Sequence, residues 1–285
     1  MLARCSSRGR SGDGRGARPG RAVAAPRPRA LATSAPAPYL GPVTALDAQP
    51  IPRGNTQRGV NRAVLNVLCA TFRAEQSFDL LDIPSGSGEF GRTVKRLFPS
   101  SRVTCADLHG SGSDDLPCRC VDAARPFPFA DDERFDAITS ISGVMEFDNT
   151  EGFVSECVKH LRPGGRIIIT NDNAFTVRDR LSYLFLGRVR RFKLLMEAHA
   201  RTFRHVPVQE LAKIFSEQQL TLERVEYVAF FAEDLLFLPL ALILYPLQWL
   251  YVRALASPVS RATRAQLFPW RSLLHRHYLI VGTKG

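Results

Sequence analysis

Two carboxylates and a pair of glycines mark the chemistry this chain can do. In Phe78-Asp79-Leu80-Leu81-Asp82-Ile83-Pro84-Ser85-Gly86-Ser87-Gly88 an apolar run ends in an acid and turns through glycines into Glu89-Phe90-Gly91. Glycine lets the backbone turn sharply and lets a ligand approach where a Cβ would stand. A helix opening after such a loop aims its free N–H groups at whatever the loop holds. Further on, Arg102-Val103-Thr104-Cys105-Ala106-Asp107 ends in a second acid, about twenty residues beyond the glycines, where nucleotide-type sheets receive ribose hydroxyls. A carboxylate accepts from both O–H groups of a vicinal diol. Gly86-Ser87-Gly88-Glu89-Phe90-Gly91 is also a literal G-x-G-x-x-G, so a nicotinamide-dependent oxidoreductase is a rival reading. Against it, Pro84-Ser85 separate the first glycine from the preceding strand.

The elements that must hold these residues follow from periodicity. Val60, Val64, Leu65, Val67, Leu68 and Phe72 recur at helical spacing and predict a lead-in helix over residues 59–72. Arg53, Gly54 and Asn55 before it read as a surface turn or as a contact for a ligand carboxylate. A third strand over 118–121 ends in Asp122-Ala123, and a fourth over 135–141 ends at Ser140-Ile141. A helix over 154–161 is closed by Arg162-Pro163-Gly164-Gly165, and 166–170 is an apolar, β-branched strand of the kind buried on both faces. Helices are expected over 175–186, 191–199 and 208–215, and strands over 220–230 and 277–281. Strand–helix alternation at this spacing predicts an α/β, doubly wound sheet.

Composition narrows the classes. The 285-residue chain carries a net charge of +11, but residues 1–30 hold eight Arg against one acid, leaving +4 for the rest. The basicity belongs to the tail and does not describe a nucleic-acid groove. Residues 1–46 are rich in Arg, Ala, Pro and Gly with no apolar face, which predicts disorder. They read either as an organellar transit peptide or as a dispensable extension, and no apolar core of a secretory signal follows the charges. The cysteines Cys5, Cys69, Cys105, Cys118, Cys120 and Cys157 form no C-x-x-C pair, so neither a metal site nor a disulfide framework is expected, and a reducing compartment is. Residues 235–252 contain one strongly polar side chain, Gln248, and two prolines, Pro239 and Pro246. That length is marginal for crossing a bilayer, and a single crossing would strand the final β-strand away from its sheet. A helical hairpin dipping into one leaflet, or a cover lying at the interface, fits better. Tyr245, Trp249 and Tyr251 would lie at headgroup depth, with Arg253, Arg261, Arg264, Arg271 and Arg276 toward anionic lipid. A hydrophobic lid or a dimer interface is the alternative.

With these residues in view, the chain resembles the class I S-adenosylmethionine-dependent methyltransferases, in their small-molecule, ubiquinone-biosynthesis-like branch. The resemblance is carried by Asp82 to Gly88, by Asp107, by Asp122-Ala123 and by Leu161-Arg162-Pro163-Gly164-Gly165, in that order along the chain. It implies a Rossmann-like sheet, mostly parallel with an antiparallel last strand, with the apolar segment 231–256 inserted in a domain spanning 51–285. It implies S-adenosyl-L-methionine as cofactor and no metal. Asp82, Pro84, Gly86, Ser87 and Gly88 would lie along its methionine and ribose, Asp107 on the ribose hydroxyls and Leu108 on the adenine face. Asp122 and Ala123 would meet the adenine edge, and Ser140 and Ile141 the sulfonium. The acceptor would be small and hydrophobic or lipid-linked, methylated on oxygen in preference to carbon or nitrogen, with Arg180 and Tyr183 as candidate contacts. The chain departs from the pattern at Val144-Met145-Glu146-Phe147, where relatives often carry Glu-His. A general base would then come from His199, His205 or Asp172, or catalysis would rest on proximity alone. The same departure keeps open a non-catalytic module that docks on a membrane or partner. The expected location is cytoplasmic and membrane-associated, with organellar import through the tail left open.

Overall fold

The computed structural model describes residues 51–52, 54–110, 116, 118–189, 203–255 and 259–285. The expectations for the tail, for Arg53, for the helix at 191–199 and for His199 lie outside the described residues. Seven strands form one sheet: β1 (Asp79–Asp82), β2 (Arg102–Asp107), β3 (Cys118–Cys120), β4 (Phe135–Ile141), β5 (Leu161–Asp172), β6 (Leu220–Val228) and β7 (His277–Lys284). Their order is β3-β2-β1-β4-β5-β7-β6. The first five pair in parallel, and β7 lies antiparallel between β5 and β6. The helices are α1 (Val60–Thr71), α2 (Glu89–Leu97), α3 (Thr150–His160), α4 (Val177–Leu186), α5 (Val208–Glu217), α6 (Leu238–Ala254) and α7 (Arg261–Leu267).

Side chains alternate across the sheet, because successive residues of a strand point to opposite faces. Leu81 of β1 with Ile83 just beyond it, Ile167 and Ile169 of β5, and Tyr278 and Ile280 of β7 face one layer with Phe153 and Phe215. Leu80, Ile168, Leu279 and Val281 face the other, against Val64 and Leu68 of α1 and Phe90 and Val94 of α2. Each fully buried Leu or Ile contributes about 1.5–3 kcal/mol, so the two layers hold the strand ends in place.

Two sequence expectations change. β5 begins at Leu161, not after the Arg162-Pro163-Gly164-Gly165 turn, because Leu161 already pairs with Phe135. The register then shifts through a bulge before Ala137 meets Arg166, and Gly164 takes a φ of 74° within it. Arg162 from this stretch bonds Asp79 at 2.7 Å and Asp136 at 2.6 Å, tying β1 to β4 at the amino edge of the sheet. Hydrogen bonding from Arg102, and less strongly from Arg162, holds the Asp79 carboxyl below its usual range, with partial burial opposing them.

The apolar insertion is one helix, not a hairpin. A 3₁₀ turn over Ala232–Phe237 leads into α6, which runs on through Pro246. Pro239 falls in its first turn, where the missing N–H costs nothing. One face of α6, with Leu240, Ala241, Leu244 and Tyr245, packs on Val177 and Leu181 of α4 and on Leu273 and Leu274 in a small separate core. The other face, with Leu242, Ile243, Leu247, Leu250 and Tyr251, is exposed.

Candidate active site

The carboxyl ends of β1, β2 and β4 meet around the glycine loop. The loop's path is set by Ile83 N donating to the Thr139 carbonyl at 2.9 Å and Ser85 N to the Ala106 carbonyl at 2.9 Å. Pro84 packs so closely on Gly143 that a Cβ there would lie 2.3 Å from Pro84 Cδ. Gly86 and Gly88 take φ of 54° and 71°, in the left-handed region. A Cβ built on Gly86 meets nothing within 4 Å, so the loop borders open space. Gly91 serves packing instead. A Cβ there would lie 2.8 Å from Cys105 Sγ, and its absence lets α2 sit against β2.

Asp107 holds the loop from the next strand. Its carboxylate accepts from Gly86 N at 2.9 Å and from His109 N at 3.2 Å. Leu108 beside it is exposed, as an apolar wall for a flat ring would be. After β3, the Asp122 carboxylate accepts from Ala124 N at 3.0 Å in a tight turn, with Ala123 buried beneath. Asp82, Pro84, Gly86, Ser87, Gly88, Asp107, Leu108, Asp122, Ala123, Ser140 and Ile141 thus all lie along one edge of the sheet.

Asp82 lies beneath the loop, fully buried. One carboxyl oxygen accepts from Thr139 Oγ1 at 2.9 Å, and the other, Oδ2, has no partner. Burial pushes this carboxyl up to about 7, with Thr139 opposing it and the charge on Asp107 adding to it. Because the folded pKa exceeds the unfolded one, the ligand-free fold binds an extra proton between about pH 4 and pH 7. Its stability therefore falls as pH rises through that window and levels above it. Asp82→Asn, which mimics the protonated form, is expected to flatten that fall by on the order of 3 kcal/mol. Urea midpoints from pH 5 to pH 8 check this, and identical slopes in the two proteins would contradict it.

The acceptor-side expectations fare unevenly. His205 packs edge-on to Phe175, 6.1 Å between ring centroids, and burial lowers its pKa. Its neighbour Arg204 donates from the backbone to the Met145 carbonyl at 2.7 Å, which brings this segment to the loop after β4. Arg180 is occupied in joining helices: Nε donates to the Phe175 carbonyl and Nη2 to Gln248 Oε1. Tyr183 lies with Leu184, Phe185 and Leu186 on the exposed end of α4. Phe147 turns into the core against Phe153, 4.8 Å between ring centroids.

Asp172 has a partner that sequence reasoning missed. Its Oδ1 lies 2.9 Å from Nδ1 of His277, the residue it faces across the β5–β7 ladder. His277 Nε2 lies 3.0 Å from Ser142 Oγ, and Ser142 Oγ lies 2.6 Å from Thr56 Oγ1. Ser142 takes a φ of 58°, unusual for a residue with a Cβ. Only the antiparallel register of β7 brings His277 to this edge, and no local pattern announces it.

The fold is that of the class I S-adenosylmethionine-dependent methyltransferases. A dinucleotide-binding sheet has six parallel strands, whereas here an antiparallel β7 is inserted beside β5. Residues 81–169 match the family model described as a methyltransferase domain. A crystal structure of an S-adenosylmethionine-dependent methyltransferase from Archaeoglobus fulgidus is similar over 80% of this chain and 95% of its own, with a TM-score of 0.50 and 15% identity. The ubiquinone/menaquinone biosynthesis C-methyltransferase UbiE of Pseudomonas fluorescens (strain SBW25) is 30% identical over 128 residues, covering 38% of this chain and 49% of its own. A demethylmenaquinone methyltransferase of Tropheryma whipplei (strain Twist) is 28% identical over 101 residues, or 32% and 40%. The chain spans about half the length of the UbiE relative, or less of the demethylmenaquinone one. The cofactor of this class is S-adenosyl-L-methionine, and the residues present fit it. The buried Asp82 Oδ2 and Ser140 Oγ lack partners, the loop leaves open space at Gly86, and the donor set suits hydroxyl, amine and ring groups.

Proposed function

We propose that this chain methylates a small hydrophobic or lipid-linked acceptor carrying an acidic hydroxyl, such as a quinone precursor, at a membrane surface. The observation that carries the reading is the convergence of Asp82, the Gly86–Gly88 loop, Asp107 and Ser140 on one edge of a methyltransferase sheet. Bound S-adenosyl-L-methionine supplies an electrophilic methyl group on a sulfonium. Asp107 orients the ribose, Leu108 and Ala123 flank the adenine, and Asp82 lies beneath the loop, where a cationic ligand favours its charged form. Ser140 and Ile141 shape the wall where the acceptor arrives.

The sequence reading favours oxygen as the methylated atom, whereas one of the similar relatives is named a C-methyltransferase. Loss of a phenolic proton activates both the oxygen and the neighbouring ring carbon, so one site serves either outcome. The membrane part of the proposal rests on charge complementarity. From residue 235 to 285 the chain has no Asp or Glu, and none stands between Asp179 and Glu197. Those stretches carry the exposed apolar side chains of α4 and α6 and the exposed Arg188, Arg253, Arg261 and Arg271. An anionic lipid surface answers both features, the first by burial and the second by attraction.

Transfer of labelled methyl from S-adenosyl-L-methionine to a set of demethylquinols and to membrane lipid extract tests the reading. Label is expected in an organic-soluble product, and its position separates oxygen from carbon. Cofactor binding with no label transferred to any lipophilic acceptor would favour the non-catalytic docking module.

A further inference from the structure

Thr56, Ser142, His277 and Asp172 join the lead-in segment, the end of β4, the start of β7 and the end of β5 in one chain of contacts. His277 is wholly buried and Thr56 nearly so, while Ser142 is partly open at the edge that carries the glycine loop. Gly143, next to Ser142, is the residue on which Pro84 packs, so the chain's open end lies beside the loop. A purely structural polar cluster has no need to hold Ser142 at a φ of 58°. Such strain persists where the surroundings over-determine it, most often at functional sites.

We propose that His277 is the base of this site, that Asp172 positions it, and that Ser142 is the catalytic hydroxyl through which it draws the acceptor's proton. This rests on the reading of the site as a methyltransferase. In the tautomer proposed for His277 the proton is on Nδ1, which lies 2.9 Å from Asp172 Oδ1; Nε2 then carries the lone pair and accepts from Ser142 Oγ–H. Thr56 Oγ1–H in turn donates to Ser142 Oγ. As the acceptor's oxygen or ring carbon forms its bond to the methyl carbon, the S–CH₃ bond breaks and its electron pair neutralises the sulfonium. The acceptor's hydroxyl proton passes to Ser142 Oγ while the proton of Ser142 passes to His277 Nε2. Asp172 stabilises the resulting imidazolium, and solvent later removes its proton. The geometry supplies the base that a Glu-His after the fourth strand would have given, from the opposite end of the chain.

The proposal is testable without knowing the acceptor. In Ser142→Cys the imidazole faces a thiol, and a base held by a carboxylate stabilises the thiolate. Site-resolved alkylation followed by mass spectrometry across pH is expected to place the pKa of the introduced thiol at least about one unit below the ordinary 8.5. The native Cys105, Cys118 and Cys157, whose thiols burial pushes up, serve as internal references. Adding His277→Asn, or in parallel His277→Gln, is expected to return the introduced thiol to its ordinary value or above, and adding Asp172→Asn to return it partway. Binding of S-adenosylhomocysteine is expected to stay within about threefold in His277→Asn, because the base does not hold the cofactor. An introduced thiol that titrates at or above about 8.5 with His277 present overturns the proposal, as does a low value that survives both His277 variants. Failure of the wild type to bind S-adenosylhomocysteine is a separate result: it removes the methyltransferase reading whatever the thiol shows.

Discussion

Gly86→Val is expected to abolish measurable binding of S-adenosylhomocysteine, by 100-fold or more (~3 kcal/mol), while the protein stays folded. The two effects separate because Gly86 borders open space: a side chain there meets nothing within 4 Å. No packing is disrupted, and the cost to the fold is confined to forcing a β-branched residue to a φ of 54°. That cost is on the order of 1–2 kcal/mol per residue in the left-handed region. The added atoms would fill the open space in which the proposed site brings the cofactor to the backbone. The Gly86 N–H, which now donates to Asp107, also loses its fixed direction. Asp107→Ala is expected to weaken binding through the second arm of the same arrangement, by removing the acceptor proposed for the ribose hydroxyls and the brace of the loop. Calorimetry of the ligand with near-UV circular dichroism of the protein checks both. Retained affinity in Gly86→Val would remove the loop from the site.

The second large effect concerns α6. The wild-type protein is expected to float with vesicles containing phosphatidylglycerol, and Leu242→Glu/Leu247→Glu/Leu250→Glu to remain in the aqueous fraction. These side chains are exposed, so charging them adds no burial cost to the soluble fold. The helix shows why a surface is wanted: the most apolar 18-residue window within Ala232–Ala254 has a mean hydropathy of 1.9, yet 6% of it is buried. A leucine returned to an apolar environment gains roughly 1.5–3 kcal/mol, so three of them dominate the docking energy. Arginine contributes less, about 1 kcal/mol each near an anionic surface. Arg253→Gln/Arg261→Gln/Arg271→Gln is therefore expected to weaken binding to anionic vesicles by roughly two orders of magnitude and to leave binding to neutral ones unchanged. In the proposed docking the helix lies along the surface without crossing it, since Val228 before the insertion and His277 after it are paired in one ladder. Concentration-dependent dimerisation with no flotation would assign the same face to a second copy of the chain.

How much of this was readable in the chain depends on the range of each interaction. The glycine loop, Asp107 and the turn at Asp122-Ala123 were legible because each is a strand end followed by a local turn, and local sequence specifies both. The β-branched run of β5 announced a strand buried on both faces. The Arg162-Pro163-Gly164-Gly165 stretch reads locally as a turn, yet the structure draws it into β5 because Phe135 pairs with Leu161. The hairpin expected from Pro239 and Pro246 failed for a related reason. The first proline sits in the opening turn of α6, and packing on α4 and Leu273 carries the helix past the second. His277 was invisible as a site residue: only the pairing of β7 with β5, across about a hundred residues, brings it to Asp172.

Isothermal titration of the full chain with S-adenosylhomocysteine tests the central claim most directly. The expected result is saturable one-to-one binding, lost in Gly86→Val, and no heat from NADH under the same conditions. Binding of NADH instead, or heat with neither ligand, would contradict it.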